Sequence, residues 1–452
     1  MSKVVFVSYS NVSFLKTLSQ DGFIDGFANA LARLGNEVCC FLTNRVFIKE
    51  IESNIINAKP DVIIAFNNSG ITENVIKNTN CPILCFGSDS VSFWAKSDLI
   101  EKYFSRYYFL HHSTDTYSQA KEIFKNFPED KNFMFSHATD LRKIDIEQDI
   151  PISFVGSIGN WDKSGVEYFK RMSKAVEFLP EKYPYNMNEI KAKYISHIND
   201  ILNNPLTVIK EELPLWRKFA SVPYKQSLIT NVICLKRFSV LRELEDLSIK
   251  IFSYPEAMVD VLTYDINLFN SFDFTTSTTL EDNTITYNRS KISLNLPHAH
   301  AQNGFSWRVC EVMASNAFLL SDYRPDLDRL MKPYFKDFPM YHNSKEAYEL
   351  AKKILKDDKY RLDLVEASNK AIEENCRFEP RIKQIEELIK VKLVYDDKKQ
   401  GSVDRNSYLS LKLSDREYQN IQKSSKKISF VNKIRYQIWC KLTEKLTKKK
   451  II

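Results

Sequence analysis

The chain has 452 residues, 44% hydrophobic and 27% charged, with a formal net charge of +7. That length suits two or three domains, each able to bury a core of its own, and the balance is that of an ordinary globular protein. No stretch approaches the roughly 18–20 apolar residues a bilayer-spanning helix needs, and Met1 leads straight into the strand-like run VVFVSYS, so neither a spanning segment nor a signal peptide is expected. The eight cysteines form no CxxC pair and lie in apolar runs, which fits buried thiols in a reducing cytoplasm better than a zinc site.

In chain order, the first third alternates strands with helices. KVVFVSY is a continuous apolar run, as expected of a parallel strand covered on both faces. A helix over 22–34 follows, carrying Phe23, Phe27, Leu31 and Leu34 at helical spacing and ended by Gly35-Asn36. VCCFL, DVIIAFNN, PILCFGSDS and YYFLHHS come next, separated by helical stretches, so a doubly wound sheet is expected over residues 1–148. The polar ends Asn67-Asn68-Ser69, Ser88-Asp89-Ser90 and His111-His112-Ser113 should line one crevice at the carboxyl ends of the strands. There Asp89 is a candidate base or a strand-end cap. His111 and His112 are candidate bases, acceptor contacts or structural residues, because histidine titrates near neutral pH.

Residues 136–149 are polar and charged, and then ISFVGS opens a second unit, expected over 149–395, with Gly156 and Ser157 at its first loop. From about 160 to 236 the pattern is helical and aromatic with no strand signal and is read as an insertion. KRFSVLRELEDL and SIKIFSY resume the strand–helix rhythm.

The most informative stretch is residues 287–327. It reads as a strand over 292–296, a polar loop over 298–304, a helix over 306–315 and a strand over 317–321. Glycine is scarce at 10 residues, so the loop ending at Gly304 stands out. Unpaired N–H groups at Gly304, Phe305 and Ser306 would favour an anion there. Arg308 lies in the first helical turn, where a cation opposes the helix dipole unless an anion sits nearby. Glu311 shares its face three residues on. Guanidinium and carboxylate around a phosphate-sized site suit a sugar nucleotide, with Arg308 on the pyrophosphate and Glu311 on the ribose diol. An ordinary i,i+3 ion pair on a solvated face explains the two residues equally well.

SKISLN, RVCE and NAFLLSD, in this order, resemble the nucleotide-sugar-binding signature of GT-B glycosyltransferases, most closely the CgeB-like (spore-maturation type) family; the ATD at 138–140 and FVGS at 154–157 add to it. The resemblance implies two Rossmann-like doubly wound domains facing a cleft, donor contacts in the second and acceptor contacts in the first. It implies donor-binding roles for Gly156, Ser157, Lys291, His298, His300, Asn303, Gly304, Phe305, Ser306, Arg308 and Glu311. In retaining GT-B enzymes two glutamates eight positions apart meet the donor sugar and the ribose. Glu311 matches the second, whereas Asn303 stands at the first and can hydrogen-bond but not carry charge. No cofactor and no metal are implied, although His298 and His300 form a conceivable metal pair. The last helices, over 344–356, 360–374 and 379–393, are expected to end by packing back on the first domain.

Residues 396–452 differ in kind. From Lys423 to Lys450 there are ten basic residues and one acid, a local +9 against +7 for the whole chain, so the remainder sums to −2. Val431, Ile434, Ile438, Leu442 and Leu446 recur at helical spacing opposite the lysines. A basic amphipathic helix of this kind suits an anionic membrane surface, a partner protein or the body of the protein itself. Nothing elsewhere points to nucleic acid.

The combined expectation is a cytoplasmic, membrane-peripheral transferase moving a sugar from a nucleotide donor, UDP-linked by prior, to a surface-glycan, lipid-linked or protein acceptor. The alternative is a non-catalytic nucleotide-sugar-binding scaffold.

Overall fold

The computed structural model describes residues 1–9, 22–43, 48–87, 91, 97–124, 126–135, 137–156, 237–253, 266–273, 275, 277, 279–297, 303–395 and 401–404. The sequence-derived insertion, most of the basic tail, and the candidates Asp89, Ser157, His298 and His300 lie outside these residues.

Two all-parallel sheets organise the described residues. The first contains β1 (Lys3–Tyr9), β2 (Glu37–Thr43), β3 (Val62–Phe66), β4 (Ile83–Gly87), β5 (Tyr107–His111) and β6 (Asn132–Met134). The second contains β7 (Ile150–Val155), β8 (Ile249–Phe252), β9 (Phe272–Asp273), β10 (Ser290–Asn295) and β11 (Phe318–Ser321). A last strand, β12 (Ser402–Asp404), returns to the first sheet, whose order is β12-β2-β1-β3-β4-β5-β6; the second runs β11-β10-β7-β8-β9. The sequence reading gave residues 396–452 wholly to linker and tail. Instead Ser402, Val403 and Asp404 pair in parallel with Glu37, Val38 and Cys39.

The strands are apolar runs because both faces are covered. All five residues of β3 and of β4 are buried. In the first sheet one face packs around Phe27, Phe86 and Phe135, and the other around Ile55, Ile100 and Phe109. In the second sheet β10 lies between β7 and β11, with Ile292 aligned to Ile152 of β7 and Phe318 of β11.

The two units meet through their carboxyl ends and through the last helix. Helix Phe378–Ile389 buries Phe378, Ile382, Ile385 and Ile389 in the aromatic core of the first unit. The Phe378 ring stacks on Phe27 at 5.2 Å and lies 5.4 Å from Phe23. The helix ends where Lys390 turns left-handed at φ 57, short of the expected position 393. These two parallel, helix-covered sheets with facing carboxyl ends are a GT-B architecture.

Gly26, in helix Gly22–Arg33, makes the seam close: a Cβ there would sit 2.9 Å from Phe378 Cε2 and 3.2 Å from Asp140 Cβ. An interior Gly→Ala change in a helix ordinarily gains about 1 kcal/mol. Because Phe378 is fully buried and held between Phe23 and Phe27, it has no room to yield. Gly26→Ala is therefore expected to lower the melting temperature, read by circular dichroism; an unchanged or higher value would show that the seam is loose.

Candidate functional site

In the second sheet, chain progression turns back at β7: β8 and β9 lie on one side of it, β10 and β11 on the other. A crevice outside the carboxyl ends of β7 and β10 is therefore the topological place for a ligand. Gly156 follows β7 with φ +153, a backbone that a side chain would strain. A Cβ added there would come within 3.6 Å of the Arg308 guanidinium. The half-buried Arg308 thus lies directly over the glycine turn at the end of β7, so these two sequence-predicted residues, 152 positions apart, come together.

Arg308 sits in helix Trp307–Met313, shorter at both ends than the sequence suggested. Its apolar residues are divided between the two units. Val309, Cys310, Val312 and Met313 enter the core of the second. Trp307 packs against the first, its ring 6.1 Å from Phe23 and 6.0 Å from His137. Ser306, preceding the helix, turns its hydroxyl to Asn295 Oδ1 at 3.3 Å. Phe305 is buried beside His137, with ring centres 6.3 Å apart. The helix is thereby clamped from both sides, and Arg308 is presented from a fixed base.

Glu311 is 2% exposed. A carboxylate so buried is costly unless hydrogen-bonded, and Asn283 Nδ2 donates to its Oε2 at 3.3 Å. Asn283 belongs to helix Leu280–Arg289, which the sequence analysis did not identify. Thr279 caps that helix by accepting from Asp282 N while Asp282 accepts from Thr279 N. That T-x-x-D spacing is the signal that was available.

Asn303 and Gly304 lie against the first unit. Asn303 donates from its backbone to Asp115 Oδ1 at 3.3 Å and from its amide to Thr114 Oγ1 at 3.1 Å. A Cβ on Gly304 would lie 2.2 Å from Ser113 Cβ, so only glycine permits the approach. Asp326, at the start of helix Pro325–Met331, completes the junction. Its Oδ2 accepts from Thr114 N at 2.9 Å, its Oδ1 accepts from Thr114 Oγ1 at 3.0 Å, and its own N–H donates to Asn303 O at 3.0 Å. Thr114, Asp115 and Asp326 were not singled out from the sequence, since each reads there as an ordinary helix-start residue.

Two sequence candidates are not in the crevice. Lys291 lies at the amino-terminal side of β10, four residues from the end that faces it, or about 13 Å along the strand. His111 is fully buried. Strand alternation turns it under helix Thr114–Ile123, against Phe109 and Tyr117, where Nε2–H donates to Asn132 Oδ1 at 2.6 Å. Burial, only partly offset by that bond, pushes its pKa down to about 3; a group so enclosed and weakly basic is not a general base.

His112 points to the opposite face, where Nδ1–H donates to Gly87 O. Its ring is 4.8 Å from that of His137, which Phe23, Phe86, Phe305 and Trp307 surround. Burial, then the charge on His112, drives the His137 pKa well below the ordinary value. Among the described residues no group of three or more His, Cys, Asp or Glu is placed to hold a metal, and no helix is long and apolar enough to cross a membrane.

Comparison with known proteins bears on this region. A glycosyl transferase-like family model matches residues 241–387, which include Asn283, Arg308 and Glu311. No curated protein matches the chain. Solved structures similar to it include T4 phage BGT in complex with its UDP-glucose substrate, at 12% identity, TM-score 0.41, covering 86% of this chain and all of that one. Anabaena Alr3699/HepE in complex with UDP-glucose aligns at 9% identity, TM-score 0.46, over 86% and 100%. AviGT4, a glycosyltransferase involved in avilamycin A biosynthesis, does so at 9%, TM-score 0.46, over 87% and 98%. Over residues 241–387 the chain is thus similar to a glycosyl transferase-like domain.

Because folded His111 stays neutral while the unfolded residue charges below 6.5, the unfolded state binds more protons between 6.5 and about 3. Stability should fall as pH drops through that window. His111→Gln, which can still donate to Asn132, should flatten this loss in melting temperature; an equally steep profile would mean that His111 does not contribute to it.

Proposed function

We propose that the protein transfers a sugar from a nucleotide donor, UDP-linked in preference, to a glycan or lipid-linked acceptor held on the first unit. The observation that carries this reading is Arg308 over the Gly156 turn at the switch point, one helical turn from buried Glu311 and inside the region matching the transferase model. Arg308 would meet the donor pyrophosphate and Glu311 the ribose hydroxyls. Charge developing on the departing diphosphate would be stabilised by a guanidinium already in place, which lowers the barrier without reorganisation and lets the reaction proceed without a bound metal. The similar structures solved in complex with UDP-glucose are the reason to test a uridine donor first.

Asn303 would reach the donor sugar only by leaving Thr114, so donor entry would be coupled to movement at the seam. The same engagement favours the second reading, a nucleotide-sugar-binding scaffold without turnover. The basic segment 423–450 would hold the protein at an anionic cytoplasmic membrane face, where each lysine or arginine contributes about 1 kcal/mol. That location suits a lipid-linked or growing surface glycan, and the CgeB-like resemblance belongs to the same reading.

One experiment separates these. UDP, GDP, CDP and ADP are titrated by calorimetry, and UDP-sugar hydrolysis is followed with and without EDTA. The samples are wild type, Arg308→Ala, Glu311→Ala and a chain ending at Gln422. The expected result is one nucleotide bound, lost on the order of tenfold or more in either point variant, with EDTA-resistant turnover. The shortened chain should keep turnover but lose binding to anionic vesicles. Binding without turnover would select the scaffold; no binding at millimolar nucleotide would end both readings, and turnover lost with the tail would contradict the anchor.

A further inference from the structure

We infer that Asn283 is a positioning residue of the donor site, acting through Glu311; the inference rests on the ribose role given to Glu311 above. Three side chains fix the direction of the Asn283 amide. Thr286 Oγ1 donates to Ser277 Oγ at 3.2 Å, and Ser277 Oγ donates to Asn283 Oδ1 at 2.8 Å. With its oxygen so occupied, the amide presents Nδ2 to Glu311 Oε2 at 3.3 Å. Asn283 is 9% exposed, Thr286 7% and Glu311 2%, while Ser277 is half-buried, so water has little access to the amide–carboxylate contact.

The residue type follows from the chemistry. An amide is the side chain that accepts from a hydroxyl on one atom while donating to a carboxylate on the other. An aspartate of the same shape could accept from Ser277 but would face Glu311 with a second negative charge. The amide is thus set with Nδ2 on the Glu311 carboxylate and Oδ1 on the Ser277 hydroxyl, and it holds one carboxylate oxygen in place. In this arrangement the donor affinity of the site is set partly by helix Leu280–Arg289, a segment with no other assigned role in binding.

The test is UDP affinity of wild type, Asn283→Asp, Ser277→Ala, Glu311→Ala and the Asn283→Asp/Glu311→Ala pair, measured between about pH 5.5 and about pH 8, where paired carboxylates can take up a shared proton. Thermal melts confirm that each variant is folded. Asn283→Asp should weaken UDP binding on the order of tenfold at the alkaline end, about one pKa unit of repulsion. Binding should recover toward wild type at the acid end, once one proton is shared. A merely structural role would not produce that pH dependence. Ser277→Ala should weaken binding less, and equally at every pH. In the Glu311→Ala background, Asn283→Asp should cost nothing further. If wild type binds UDP and Asn283→Asp binds it equally at every pH, the positioning role is overturned while the nucleotide reading stands. If wild type itself binds no UDP, the nucleotide reading fails and this inference fails with it.

Discussion

A carboxylate shared between the units governs where everything else can sit. Asp326, at the carboxyl end of the second sheet, accepts from the backbone and hydroxyl of Thr114 in the first, and it is only 5% exposed. A buried carboxylate without donors would cost several kcal/mol. Here it meets the first amide of helix Thr114–Ile123, where the helix dipole favours negative charge. One unit thus closes the start of a helix in the other, and the bond fixes both sheets with their carboxyl ends together. Asn303, threaded between Thr114, Asp115 and Asp326, and Gly304, pressed against Ser113, follow from that constraint. So does the clamping of helix Trp307–Met313 between two cores.

The chemistry of the crevice depends on that clamp. Arg308 is half-buried against a glycine turn, and Glu311 is buried under an amide from a neighbouring helix. Two opposite charges on one short helix face would be unremarkable in solvent. Held by packing at a sheet's switch point, they are the groups proposed to meet a charged, hydroxyl-bearing ligand. The histidines divide differently. His111 and His137 are neutral residues of the interior, kept so by burial, while His112 is fixed to the Gly87 carbonyl. Among the described residues, these three histidines therefore contribute shape and hydrogen bonds.

The sheets were legible because parallel strands buried on both faces must be apolar throughout: KVVFVSY, VIIAF and FLLS announce themselves. The signature helix was legible because Trp307, Val309, Cys310, Val312 and Met313 give it an apolar surface. Helix Leu280–Arg289 was not, because LEDNTITYNR buries asparagine and threonine where apolar periodicity would be sought. Asn283 was missed with it. β12 was invisible for another reason: its three residues carry no pattern of their own and pair with an edge supplied by residues 37–39. The contact of Thr114 with Asp326 spans 212 positions, and no local spacing encodes it. Lys291 illustrates the converse, a residue suggested by a motif yet placed by strand direction at the far end from the crevice.

The crevice beside Gly156 and helix Trp307–Met313 is where the nucleotide is proposed to sit. Hydrogen–deuterium exchange with and without saturating UDP tests it most directly, since amides that meet a ligand, or lie under one, slow their exchange. The account predicts protection confined to peptides covering 150–156, 280–289 and 303–313, with the amino-terminal end of β10 unchanged. Protection elsewhere on the chain, with these segments unaffected, would contradict it.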